Sequence, residues 1–379
     1  MYNASSAFHA AVAAGNPQRC LLIFPDCVFS NADVDVESGL QLHESFNLER
    51  DLAIGQAVSN ELSFALFNDY GDLNDYAFGE FTATLGVVID NSAYTETGNC
   101  SAVIGSDVYV GNGSSPYVTK NGTAMADQPG FAVTSLLVMD NTVYAVGSSG
   151  QCFRYVDGTG SAYTLNPFMV RKMKRRQGMG FSYKSSTRIA RERNGTREQT
   201  YEFVPLGVFI ADRPNVPDEI RIDFTCNDRM MNFEKDMPAP EDMGVTYPTT
   251  ISTLFTKLCQ YCEVPYATNV FINSTATIEE EPEAFYNSTC RTVLGWIAEA
   301  AGANALFNRD GKLELRWVRS AGVYLDESGY SRFRPYWFET KGIGKVLNRD
   351  TRSEEEDISY GTGDTPYLIQ DNPLLAGCE

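Results

Sequence analysis

The chain has 379 residues, 43% of them hydrophobic and 21% charged, with a formal net charge of −19 at pH 7. That length is enough for two or three domains. The acidic balance argues against nucleic-acid binding by the whole surface, and no run of 18 apolar residues is present to cross a membrane as a helix.

The opening "MYNASSAFHAAVAAG" lacks a basic n-region and reads as a short helix or arm rather than a signal peptide. The nine cysteines show no repeating spacing, which fits a reduced compartment. The seven Asn-x-Ser/Thr triplets then read as by-products of polar loops. Up to residue 90 the pattern is strand-rich, with "RCLLIF", "VDVESGLQL", "ELSFALF" and "FGEFTATLGVVID". Leu62, Phe64 and Leu66, and then Phe81, Ala83, Leu85 and Val87, recur at period two, which predicts antiparallel sheet buried on one face.

Residues 91–170 turn rich in Gly, Ser, Asn and Tyr. "DVYVGNGSSPYV" and "TVYAVGSSGQCFRYV" rhyme, and they predict two hairpins of an inserted surface β-module. Residues 171–197 reverse the charge. Ten of the 30 Lys and Arg residues lie there against the single Glu192, so this segment carries +9 and the remainder of the chain −28. Arg171, Lys172, Lys174, Arg175 and Arg176 open it. They read either as part of a solvated hairpin touching acidic neighbours or as a contact for a partner.

Strands return in "EFVPLGVFIADRP" and "EIRIDFTCNDRMMNF", placed to complete the sheet begun before the insert. In "TTISTLFTKLCQYCEVP" the residues Ile251, Leu254, Phe255, Leu258, Cys259 and Cys262 follow one helical face, ended by Pro265. A second helix follows over Val293–Ala301, stopped by Gly302. Asn308-Arg309-Asp310-Gly311 then joins two strand-like runs as a hairpin, with Leu313, Leu315 and Trp317 inward and Lys312, Glu314 and Arg316 outward. The acidic runs Glu279–Glu281 and Glu354–Asp357 read as solvated loops.

A search for chemistry returns no convincing set. The only histidines are His9 and His43, no GxSxG elbow or HExxH occurs, and "KGIGK" is not a P-loop. Cys259-Gln260-Tyr261-Cys262 falls on the apolar helix face and reads as core packing rather than half a zinc site. The expectation is therefore a non-enzymatic protein with no catalytic residues, cofactor or metal.

Four stretches in chain order resemble the hub or tail-tip proteins of bacteriophage tails (baseplate hubs). They are "DLAIGQAVSNELSFALFND" with "FTATLGVVID"; "VPLGVFIADRP" with "IRIDFTCNDRMMNFEKDM"; "TTISTLFTKLCQYCEVPY"; and "STCRTVLGWIAEAAGANALFNRDGKLELRW". The closing "DTPYLIQDNPLL" is also similar to that family, and the match covers roughly residues 1–90 and 198–375.

The resemblance implies an α+β, mainly β fold. Residues 1–90 plus 198–237 would form a first tail-tube-like antiparallel β-barrel, with 91–197 an inserted β-module ending in the basic segment. Residues 238–320 would form an α+β unit with the helix-hairpin, and 321–379 the start of a second barrel, which relatives commonly continue.

It further implies a homotrimeric ring at the distal end of a phage or phage-derived tail, assembled in the host cytoplasm and joining the tail tube to the tip. The partners implied are the distal tail and tail-tube proteins, the tape-measure protein, and a tip or fibre protein. DNA would pass through the lumen without specific binding, and an acidic lining suits that use. The basic segment would then meet acidic protein neighbours. The competing reading is a cell-surface or glycan-binding module that uses the tyrosine-bearing insert.

Overall fold

The computed structural model describes residues 4–35, 38–45, 53–68, 71, 73–74, 76–95, 97–175, 177–211, 214–215, 220–316, 345–349, 358–361, 366–370 and 372–375. Arg176, Trp317 and the run Glu354–Asp357 lie outside them. The chain divides into two compact units, Met1–Gln41 with Leu62–Cys226, and Leu42–Glu61 with Asn227–Glu379.

The first unit opens with helix α1 (Ser6–Ala13), capped by the Ser5 hydroxyl, which accepts from the Phe8 amide at 3.1 Å. Strands β1 (Gln18–Ile23), β2 (Val28–Ser30), β3 (Leu40–His43), β4 (Glu61–Phe67) and β5 (Glu80–Ala93) follow. The insert supplies β6 (Cys100–Ile104), β7 (Asp107–Gly111), β8 (Val118–Lys120), β9 (Thr123–Ala124), β10 (Val133–Met139), β11 (Thr142–Gly147), β12 (Cys152–Val156) and β13 (Thr159–Tyr163). Helix α2 (Pro167–Arg175), the hairpin β14 (Met179–Lys184) and β15 (Ile189–Asn194), and strands β16 (Arg197–Ile210) and β17 (Arg221–Asp228) complete the set.

The fold is mainly β with few helices, as the sequence predicts. Strand β16 is its axis. Along one edge it pairs with β5 from Arg197↔Ala93 to Ile210↔Glu80. Its N-terminal half also pairs with β15, Arg197↔Asn194 through Glu202↔Ile189, and β17 is a further neighbour. The sheet therefore forks. One arm runs β15-β14-β10-β11-β12-β13 and the other β17-β4-β3, while β5 continues to β1 and β2.

The closed barrel implied by the resemblance is not found among the described residues. Its nearest approach is a single bridge beyond β2, Val34↔Leu66, where the Asp35 amide donates to the Ala65 carbonyl and the Phe67 amide to that of Asp33, each at 2.9 Å. One bridge does not make a strand ladder, so the sheet stays open there.

Period two is only partly kept in β5. Phe81, Ala83 and Val87 are buried as predicted, but so are Thr84 and Val88 from the opposite face. Helix α1 lies against that strand, and the Asn16 side chain donates to the Val88 carbonyl at 2.8 Å. Rings stack through the core, Phe24 on Phe81 at 4.6 Å and Phe64 on Phe224 at 4.7 Å. Each such ring removed from water contributes roughly 1.5–3 kcal/mol.

The two rhyming stretches do form hairpins, in different sheets. β7 and β8 belong to the four-stranded sheet β6-β7-β8-β9, whereas β11 and β12 extend the large sheet. Cys100, Ala102, Tyr109 and Val118 of the first pack with Val133, Leu136, Val143 and Tyr155 of the second in a core of their own. Gly180 of β14 lies so close to β6 that a Cβ there would stand 1.7 Å from the Ser101 carbonyl oxygen.

The second unit contains α3 (Pro240–Met243), β18 (Thr249–Thr250), α4 (Ile251–Tyr261), β19 (Thr277–Ile278), α5 (Cys290–Ala300), β20 (Asn304–Phe307) and β21 (Leu313–Arg316). Strands β22 (Lys345–Arg349), β23 (Ile358–Gly361) and β24 (Pro366–Gln370) form a separate three-stranded sheet. The apolar stripe of α4 is buried as predicted, from Ile251 to Cys262. Both long helices begin on a threonine cap: Thr250 Oγ1 accepts from the Thr253 amide at 3.1 Å and Thr289 Oγ1 from that of Thr292 at 3.2 Å. Gly302 follows α5 with φ of 63°, the left-handed geometry expected of a helix stop.

Segment 53–58 joins this unit. The Gly55 amide donates to Ala303 O and the Val58 amide to Ala305 O, each at 2.8 Å, so the segment adds to the edge of β20. The sequence division at 90 and 198 carries no trace of that long-range pairing. From "DNPLL", Leu374 and Leu375 enter the same core, and the Asn372 side-chain Nδ2 donates to Trp296 O at 2.9 Å and to Glu299 Oε2 at 2.8 Å.

Candidate protein-contact surface

The basic segment is built on α2 and the β14–β15 hairpin. Helix α2 is amphipathic: Met169 and Met173 are buried, and Lys172, Lys174 and Arg175 fall in its last turn, where the helix dipole favours cations. The Ser135 hydroxyl donates to the Met173 carbonyl at 2.9 Å and ties the helix to β10.

Four of the five predicted contact residues are described, and they divide by direction. Lys172 turns inward. Its Nζ donates to Asp33 Oδ2 at 2.5 Å and to the Val28 carbonyl at 3.1 Å, with both charged side chains largely buried. It also lies 5.8 Å above the Phe168 ring. Arg171, Lys174 and Arg175 instead line a shallow depression with Leu165, Pro167 and Val170. Lys174 and Arg175 are exposed and Arg171 half-buried.

Beyond α2, much of the positive charge is matched inside the unit. Arg193 pairs with Glu198, and its guanidinium lies 3.9 Å from the centre of the Tyr94 ring. The lone acid of the segment, Glu192, pairs with Arg19, which in turn covers the Tyr201 ring at 4.7 Å. The hairpin turn is held by Asp140, whose Oδ1 accepts from the Ser185 amide at 2.6 Å. The depression on α2 thus sets basic side chains around an apolar floor of Leu165, Pro167 and Val170.

Sequence reasoning missed the distant residues that complete these pairs. Asp33 is 139 residues from Lys172 and Arg19 is 173 from Glu192, distances over which no local pattern speaks. It also missed Asp228 in the second unit. This buried carboxylate accepts from the Asn60 amide at 2.8 Å, Asn60 Nδ2 at 2.9 Å, Ser59 Oγ at 3.1 Å and the Met230 amide at 3.0 Å. Burial pushes its pKa up against those hydrogen bonds. The readable sign was an Asp ahead of the apolar run "RMMNF", an N-cap pattern. In the insert, Tyr109, Tyr144 and Tyr155 are buried, which removes them from the aromatic face that a glycan-binding module would need.

Protein-family profiles give no match to this chain, and no curated protein matches its sequence. Among solved structures it is similar to the 43 kDa tail protein of prophage MuSo2 from Shewanella oneidensis, at 10% identity and a TM-score of 0.36. That alignment covers 93% of this chain and 72% of the other.

Proposed function

We propose that the chain is a structural protein of a phage or phage-derived tail, and within it the hub at the distal end that joins tube to tip. The observation that carries the reading is the order of the resembling stretches, from "DLAIGQAVSNELSFALFND" to "DTPYLIQDNPLL". Segregation of charge supports it: a +9 segment in a chain whose remainder carries −28 suits docking between subunits around a conduit that does not hold DNA. On this reading the protein works by contact, as a homotrimer meeting tail-tube, distal tail and tape-measure proteins, and catalyses nothing.

The test is placement in the particle. Purified particles from an induced lysate are digested for mass spectrometry and labelled with gold-conjugated antibody against this chain. Label confined to one end of the tail, with a trimeric mass for the purified protein in solution, is the expected result. Absence from particles, or label along the whole tube, defeats the hub reading.

A further inference from the structure

The Cys259–Cys262 motif of α4 finds its partner outside itself. Cys262 is the C-cap residue of α4, and Cys290 is the first residue of α5, directly after the Thr289 cap. Both are fully buried in the core of the second unit. The Cys290 thiol donates to the Asp236 carbonyl at 3.6 Å and is in hydrogen-bonding contact with the thiol of Cys262. Cys259 sits one turn back on the same helix face. Residues three apart on a helix hold their Cβ atoms about 5–6 Å apart, whereas a disulfide needs about 3.5–4.5 Å. The motif is therefore poorly built to close on itself, while Cys262 and Cys290 already touch.

The pair is also unequal. Cys290 stands at a helix N-terminus, where the dipole favours an anion. Its contact with Cys262 holds its pKa below the usual thiol range, with Lys235 acting in the same direction. Burial alone pushes Cys259 up to about 12.

We propose that Cys262 and Cys290 are a disulfide-forming pair, which staples the end of α4 to the start of α5 when the chain folds, or opens locally, in an oxidising pool of low-molecular-weight disulfide that can then reach the thiols. The Cys290 thiolate attacks one sulfur of the small disulfide, whose S–S bond breaks and releases one thiolate. The Cys262 thiolate then attacks the Cys290 sulfur of the mixed disulfide and expels the second. The two protein thiols are oxidised, the small disulfide is reduced to two thiols, and the two protons pass to those leaving groups. The link closes a loop of about 28 residues in the unfolded chain, which raises the melting point of the second unit by roughly 10 °C.

The test refolds the full chain in a glutathione redox buffer, blocks remaining thiols by alkylation, and maps unreduced peptides by mass spectrometry. Natively purified chain treated with the thiol oxidant diamide is mapped in parallel. The expected result is one dominant linked pair, Cys262–Cys290, in both samples, persisting in Cys259→Ala and lost in Cys290→Ser. Recovery of Cys262 and Cys290 alkylated in both folded samples overturns the proposal. So does a link from Cys262 to Cys259 in their place.

Discussion

Single side chains hold both units at points remote in sequence. Lys172 is the sharpest case. Removing one partner of a largely buried ion pair strands the other charge, so Lys172→Ala is expected to cost roughly 3 kcal/mol in urea unfolding. Lys174→Ala, two positions on and exposed at the depression, should change stability by less than about 0.5 kcal/mol. Equal, small effects at both positions would mean that Asp33 does not depend on Lys172. Asp228 makes a second test. Asp228→Ala removes a helix cap and leaves donors on Asn60 and Met230 without an acceptor, a loss of about 2–4 kcal/mol. Its carboxyl has a raised pKa in the fold, so the folded state binds the extra proton. The part of the native residue's advantage that comes from this proton is then fully present below about pH 4, the pKa of the unfolded carboxyl, and is lost as pH rises through the folded pKa. Unfolding curves at a series of pH values check both sign and size. An advantage that grows with pH would mean that hydrogen bonding outweighs burial.

Among the elements, what was legible was local. The stripe from Ile251 to Cys262, the Gly302 stop and the Asn308–Gly311 turn each depend on residues a few positions apart, and each stands where the pattern put it, whereas α5 begins at Cys290, on a threonine cap that the reading from Val293 did not include. What was not legible depends on pairing across the chain: the fork at β16, the second buried face of β5, segment 53–58 on the edge of β20, and the pairing of Lys172 with Asp33 and of Glu192 with Arg19. The basic segment itself was legible as charge, but not the inward turn of Lys172. Gly180 belongs to the second group, since nothing beside it in sequence foretells the Ser101 carbonyl. Gly180→Ala forces β14 and β6 apart and should cost about 2–3 kcal/mol. A melting temperature unchanged from the native protein would rule out the close approach. The insert as a whole leaves β5 and β16 side by side, with the Tyr94 amide donating to the Thr196 carbonyl at 2.7 Å. Replacing 95–195 by a short Gly/Ser turn should therefore keep the β5–β16 ladder. The melting point should still fall, because Tyr201 and Phe203 lose Tyr183 and Ala190, and Asp33 loses Lys172. Circular dichroism melts decide this. An unaltered midpoint would make the insert a freely separable module.

For the whole molecule the question is what the uneven charge does. The net charge of −19 gathers no polyanion, yet ten cations are concentrated in 27 residues. Several of those are spent inside the unit, Lys172 on Asp33 and Arg193 on Glu198. Arg171, Lys174 and Arg175 line the depression on α2. If they docked on DNA, every phosphate contact would add salt-dependent affinity and resist passage of the genome. If they docked on an acidic neighbour in the assembly, reversal of their charge would place like against like, which suppresses association. The expected outcome for Arg171→Glu, Lys174→Glu and Arg175→Glu together is a folded monomer that fails to enter particles, with DNA retention at moderate salt as weak as before. Lys172 is kept native in that variant, so that loss of its internal pair does not confuse the result. Assembly is read by sedimentation of particles and DNA binding by gel shift. Normal particles combined with the disappearance of a measurable DNA affinity would reassign the patch to nucleic acid and remove the charge argument from the tail reading.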